Sequence, residues 1–235
     1  MAIFEIERLS FSYGGSRILW DIDLQIEPGA IVCLMGRNGV GKSTLLKNAV
    51  GLLEPSNGTV RIDGTPVNGR PPSWRARKGL AYVPQGREIF PHLTVEENLL
   101  LPLFAMKSRR SAAEALDEAM DIFPALRSLL RRKGGLLSGG QQQQLAIARA
   151  LVTQPRILLL DEPTEGIQPS IVQEIGHTLQ ALKRRMSLAI LLVEQCVPFA
   201  RRVADSFVLM QKGRVVSRGP ISGLTDELVS EYLNV

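Results

Sequence analysis

Between Gly36 and Thr44 the chain reads GRNGVGKST, with a lysine and two hydroxyls set behind three glycines at the spacing G-x-x-x-x-G-K-[ST]. These residue types in this order suit a polyphosphate. Glycine lets backbone N–H groups turn inward and approach phosphate oxygens where a Cβ would intrude. Lys42 can reach β- and γ-phosphates, and Ser43 can ligate Mg2+. A second group, Asp161-Glu162, closes the apolar run ILLLDE. An aspartate at a strand end is what such a site needs to hold Mg2+, and Asp161 fits that task. Glu162, one residue later and pointed elsewhere, is suited to orient or deprotonate an attacking water. The chemistry expected is hydrolysis of a nucleoside triphosphate. A third stretch, LSGGQQQQL at 137–145, runs into the helical pattern QQQLAIARALV. Its Ser138 hydroxyl and the Gly139 and Gly140 amides form a helix start able to meet phosphate oxygens. A single phosphate loop has no use for a second such helix start.

These residues need particular elements to place them. IVCLM, a continuous apolar run of buried-strand type, passes straight through the glycine loop into LLKNAVGLL, whose apolar spacing is helical. Strand, loop and helix in that order are the context that a phosphate loop requires. Ahead of it, alternating short runs broken by Gly-Gly and Pro-Gly predict successive strands with tight turns. GTVRIDG predicts a hairpin arm and GLAYVP a strand, while Thr94 to Arg132 has helical periodicity. From RILLLDEP onward the pattern alternates strand and helix. The predicted class is α/β: a P-loop core with an N-terminal antiparallel β subdomain and a helical subdomain inserted at about 86–135. The 235 residues make one domain, and no repeat of fixed period is present.

The net charge of +5 comes from basic residues scattered along the chain, and aromatic residues make up only 5%. A nucleic-acid binder would concentrate basic residues on one element with aromatics between, so solvated faces are the better reading, with a face toward a membrane-bound partner second. No apolar run approaches the 18 or so residues of a membrane span. The N-terminus lacks the basic-then-apolar layout of a secretory signal, which predicts a cytoplasmic address. Cys33 and Cys196 have no metal-ligand spacing around them and read as buried thiols.

With the phosphate loop, the DE pair and LSGGQ in this order, the sequence resembles the ATP-binding-cassette (ABC) ATPases over essentially its whole length. The resemblance implies ATP and Mg2+ as ligands, held by Gly36, Asn38, Gly39, Gly41, Lys42, Ser43 and Thr44. Ser43, Gln85 and Asp161 would meet the metal. Tyr13 corresponds to the aromatic that stacks on adenine. Gln85 matches the glutamine that touches Mg2+ and the attacking water and moves with the helical insertion. Ser138, Gly139, Gly140 and Gln141 would close over the γ-phosphate of another chain, leaving Gln142, Gln143 and Gln144 as the first turn of a surface helix. Two positions depart from the family. Gln168 stands where an aspartate of the subunit-contacting loop is usual, and Gln195 where most members have a histidine on the γ-phosphate; neither His92 nor His177 can substitute. Gln195 joins Glu162 and Gln85 as a candidate catalytic residue.

VPQGREIFPHLTVEENL, DEPTEGIQPS and VEQ together look like one branch of the importers. This branch comprises the ATPase subunits of urea and short-amide uptake systems, with those of branched-chain amino acid uptake as the alternative. The resemblance implies a second ATPase chain, identical or a sister, integral membrane permease subunits, and indirectly an extracytoplasmic solute-binding protein. Nucleic acid is not among the expected partners. The chain would lie peripherally on the inner face of the cell membrane. A soluble ABC ATPase acting on DNA or ribosomes usually carries long inserted modules or two cassettes, which this chain lacks. Glu162 speaks against a scaffold that does not hydrolyse.

Overall fold

In the computed structural model, which describes residues 1–233, the alternating N-terminal residues form β1 (Phe4–Tyr13) and β2 (Ser16–Ile26), an antiparallel hairpin. β3 (Ile31–Met35) is buried at every position, as suits a strand covered on both faces, and leads through the glycine loop into α1 (Lys42–Val50). β4 (Asn57–Ile62) and β5 (Thr65–Pro66) complete an antiparallel sheet in the order β2-β1-β4-β5. The short helix α2 (Pro72–Arg77) precedes β6 (Leu80–Val83). The helical periodicity becomes α3 (Val95–Ala105), started by a capping box between Thr94 and Glu97, and α4 (Ala112–Ile122). After short 3₁₀ turns come α5 (Gly139–Leu151), β7 (Ile157–Asp161), α6 (Pro169–Met186), β8 (Ala189–Val193), α7 (Val197–Val203), β9 (Ser206–Gln211), β10 (Arg214–Pro220) and α8 (Asp226–Tyr232).

The second sheet runs β10-β9-β3-β8-β7-β6 and is parallel from β9 to β6. Its order sets the site. β3, β8 and β7 are neighbours, so their C-terminal ends deliver the glycine loop, Glu194-Gln195 and Asp161-Glu162 side by side, at the edge where open α/β sheets bind ligands. Helix α1 lies between the two sheets: Leu45, Leu46 and Ala49 pack with Phe4 and Ile6 of one and Val32 and Leu34 of the other. On the opposite face α3, α4, α5, α6 and α7 close the core through residues such as Leu99, Ile147, Leu179 and Phe199.

Two expectations are corrected. Gln143 and Gln144 are not on a solvated face; they are 4% and 2% exposed. Helix α5 is packed between the helical insertion and the sheet, and the Gln144 side-chain amide donates to Glu174 Oε2 at 2.9 Å, so the helix is half-buried through Gln142 and polar but interior at Gln143 and Gln144. Cys196 is exposed, whereas Cys33 is buried as expected, because β8 ends at Val193 and Cys196 stands outside the sheet as the N-cap of α7.

The turn between β9 and β10 braces the glycine loop from behind. Gly213 (φ 75°) donates its N–H to Val40 O at 3.0 Å and accepts from Trp20 N at 2.8 Å, while a Cβ there would overlap the Ile18 carbonyl oxygen. We expect Gly213→Ala to cost about 2–4 kcal/mol of stability and to weaken ATP binding, both readable from urea unfolding with and without MgATP. Unchanged stability would contradict this account of the turn.

Candidate functional site

The N-cap of α1 is Gly41, no side chain caps the helix, and its first turn has no acidic residue. Its leading N–H groups are therefore bare and aligned with the positive end of the dipole, a ready anion site. Lys42 is buried and bends back over the loop, its Nζ donating to Gly36 O at 2.7 Å and Arg37 O at 3.0 Å. It also stands 3.6 Å from Glu162 Oε1. Burial lowers the lysine pKa, and the Glu162 carboxylate opposes that shift. Leu19 lies against Gly41, 2.8 Å from where a Cβ would stand, so the β1–β2 hairpin flanks the loop. Tyr13 is half exposed on that hairpin, its ring edge-on to Phe11 at 4.8 Å, a free aromatic face suited to stacking.

At the end of β7, Asp161 is buried with Oδ1 unpartnered, and Tyr82 Oη reaches only Oδ2, at 3.5 Å. Burial raises the Asp161 pKa, with a Ser43 hydrogen bond pulling the other way. An orphaned carboxylate oxygen beside a serine hydroxyl fits a hard divalent cation. Mg2+ takes one or two such protein oxygens and fills the rest of its shell with water and phosphate. Among the described residues no cluster of three acidic, His or Cys ligands exists, consistent with that division of ligands.

Glu162 has φ 48°, a left-handed conformation that turns its carboxylate away from Asp161, and its N–H is fixed to Val193 O at 3.0 Å. Two amides hold its side chain: Gln195 Nε2 donates to Oε1 at 2.6 Å and Gln85 Nε2 to Oε2 at 3.3 Å. Gln195 Nε2 also donates to Asn38 Oδ1 at 2.7 Å, joining the glycine loop to the carboxylate. Gln85 further donates to Glu165 Oε2 at 2.9 Å. Thus Asn38, Lys42, Gln85, Glu162 and Gln195 share one network, and Ser43 and Asp161 lie outside its hydrogen bonds.

Sequence reasoning passed over Glu194. This buried carboxylate accepts from Thr164 Oγ1 at 2.7 Å, Thr164 N at 3.2 Å, Gln195 N at 3.1 Å and Cys196 N at 3.3 Å. It pins the turn after Glu162 to the backbone of Gln195. Burial raises its pKa and those hydrogen bonds oppose the rise. The only signal was an acidic residue inside the end of an apolar strand.

The residues 138–141 stand apart from this network; among the described residues no hydrogen bond joins them to the glycine loop. Ser138 caps α5 in a capping box: its Oγ accepts from Gln141 N at 3.3 Å and its N–H donates to Gln141 Oε1 at 3.0 Å. Gln141 thereby shapes the helix start, and Gly139 and Gly140 are its first residues. Gln168 is an exposed N-cap of α6 making no side-chain cap. His92 is exposed and His177 lies on α6.

Comparison with known proteins bears on the family and the fold. The family described as ABC transporter matches residues 19–165. The chain is 39% identical to the probable branched-chain amino acid transport ATP-binding protein LivF of Archaeoglobus fulgidus, over 96% of this chain and 95% of that protein. It is 38% identical to the high-affinity branched-chain amino acid transport ATP-binding protein BraG of Pseudomonas aeruginosa, over 91% of each. Among solved structures, a dimeric bacterial ABC transporter cassette superposes with a TM-score of 0.85 at 27% identity, over 94% of this chain and 99% of that one.

Two sets of variants test the network. Lys42→Ala is expected to abolish nucleotide binding or turnover. Glu162→Gln should keep ATP bound while turnover falls by about 10²–10⁴; parental turnover in that variant would remove Glu162 from the base role. Gln195→Ala should lower kcat by more than it weakens ATP binding. Gln195→His should stay active and acquire a pH dependence between about pH 6 and 7, because an amide does not titrate. Parental rates for Gln195→Ala would show that the residue only caps a strand.

Proposed function

This chain belongs to the ABC transporter ATPases, and on that premise we propose that it is the energy-coupling subunit of an importer of branched-chain amino acids. The branched-chain amino acid transport for which its relatives at 38–39% identity are named carries this reading. The same names weigh against urea and short amides, the substrates that the sequence motifs had put first, since none of these relatives is named for them.

The site geometry supports a definite division of labour in ATP hydrolysis. The first turn of α1 and Lys42 bind the β- and γ-phosphates, and Tyr13 stacks on the adenine. Ser43 and Asp161 would hold Mg2+, with Gln85 as the further ligand the family resemblance implies, and the ion would supply positive charge to the phosphate oxygens. Glu162 takes a proton from the attacking water. Gln195 and Gln85 orient that carboxylate through its two oxygens, and Glu194 fixes the backbone from which Gln195 extends. The capped start of α5 at Ser138, Gly139, Gly140 and Gln141 belongs to a second site, the one formed with a partner ATPase chain, either a copy of this one or a sister. That arrangement accords with the dimeric cassette it resembles.

Residues 86–135 form the helical subdomain in this reading, and α3 within it walls a mostly apolar cavity of about 370 Å³. Leu52 and Ala76 face Pro102, Met106, Arg149 and Thr153 across it. Together with the exposed side chains of Leu52 and Phe104, it is the seat for a short cytoplasmic helix of a permease subunit. No helix of the described residues is long and apolar enough to cross a membrane, so the permease supplies the membrane path, and a solute-binding protein outside supplies the cargo.

Reconstitution with permease subunits and a panel of loaded binding proteins decides the substrate. ATPase stimulation by leucine-, isoleucine- or valine-loaded binding protein is expected, and stimulation only by urea or short amides overturns the assignment. In a Cys196→Ser background, a cysteine at Leu52 or Phe104 should cross-link to the permease. Cross-links confined to residues 206–233 would move the seat elsewhere.

A further inference from the structure

Arg75, on α2, is fully buried, yet among the described residues it makes no ion pair. Its partners are carbonyl oxygens. Nη1 donates to Asn48 O and to Ala49 O, both at 2.8 Å, and Nε donates to Arg70 O at 3.1 Å. Asn48 and Ala49 lie in the last turn of α1, so a buried cation sits at the negative end of the helix whose positive end faces the phosphates. The guanidinium has room only because residue 51 lacks a side chain; a Cβ on Gly51 would lie 2.7 Å from Nε and 2.9 Å from Cζ.

Ending α1 does not require this arginine. Gly51 (φ 84°) already stops the helix, and Leu52 N closes back on Lys47 O at 2.9 Å. A buried charge with no ion pair is costly, Glu54 favouring the charge only from beyond contact distance, and Nη2 has no partner at all, so an apolar side chain would make a more stable stop. The arginine does what an apolar residue could not, which is to bond directionally across two elements. The other side of α2, through Pro72, Ser73, Ala76 and Arg77, lines the groove that α3 and α5 wall from the other side. Helix α1, with nine residues, is a rod of about 14 Å running from those carbonyls to Lys42 and Ser43.

We propose that Arg75 is a positioning residue that couples the groove wall α2 to the phosphate-binding helix, so that a shift of either is passed to the other through the bonds to Asn48 and Ala49. What moves α2 in the cell rests on the permease seat argued above, but the link between α2 and nucleotide stands apart from it and is tested without any permease.

Hydrogen exchange of the full chain is followed with and without saturating MgADP, saturation being judged by slowed exchange at 36–46. In the parental protein, amides 73–79 are expected to slow at least threefold on adding MgADP. Arg75→Met should lose that response while keeping the one at 36–46, and Arg75→Lys, which keeps the charge but not the fork, should restore part of it. Should Arg75→Met fail to fold by circular dichroism, Gly51→Ala, which displaces the guanidinium, is read in the same way. No response of 73–79 in the parental protein overturns the proposal, as does a full response in Arg75→Met or, where it is the variant read, in Gly51→Ala. Failure of the permease cross-link would leave these readings unaffected.

Discussion

The first turn of α1 keeps its N–H groups free of any side-chain cap, and holding bare donors inside a fold constrains everything around them. An unpaired buried N–H is costly, so the turn must open to a site that a ligand can fill, and the walls of that site must hold still without reaching into it. Those walls meet the demand from outside. The β1–β2 hairpin presses Leu19 against Gly41, the β9–β10 turn bonds Val40 from behind, and Lys42 occupies its own loop carbonyls. The sandwich of α1 between two sheets follows from the same need, since a short helix would be marginal alone.

Around that turn the charges are arranged so that no carboxylate does the work of another. Asp161 is buried with an oxygen to spare, Glu162 is held between two amides, and Glu194 spends its lone pairs on backbone and threonine donors. Three acids close together would repel one another if all faced the same space. The left-handed backbone at Glu162 and the neutral amide of Gln195 keep them apart. Gln195 gives the carboxylate a donor whose charge is constant across the physiological pH range, which a histidine in its place would not.

Much of this was legible before any coordinates. The spacing of glycines, lysine and hydroxyls marked the loop, and the apolar strand ending in Asp161-Glu162 marked its neighbour, because both signals are local in sequence. The α/β alternation and the helical insertion were readable from periodicity for the same reason. What escaped were features decided by packing partners distant in the chain. Glu194 looks like any strand-end acid until Thr164 is folded over it. Gln143 and Gln144 look like a polar surface until α6 is laid alongside α5, and Arg75 looks like one more basic residue of a charged stretch until α1 ends against it. Cys196 was misplaced by a margin of three residues, the distance between the end of β8 and the point where solvent begins.

If this chain pairs with a second one as proposed, the capping box between Ser138 and Gln141 bears on the tempo of that pairing. Because Ser138 and Gln141 satisfy each other, the first turn of α5 is fully wound before another chain arrives, and closure has no coil to order. The conformational entropy usually lost when a loop folds on its target is already spent in the folding of each chain alone. Under the pairing proposed above, opening and closing would be the meeting and parting of two finished surfaces, with rates set by diffusion and by the charge on the nucleotide rather than by the slower winding of a helix.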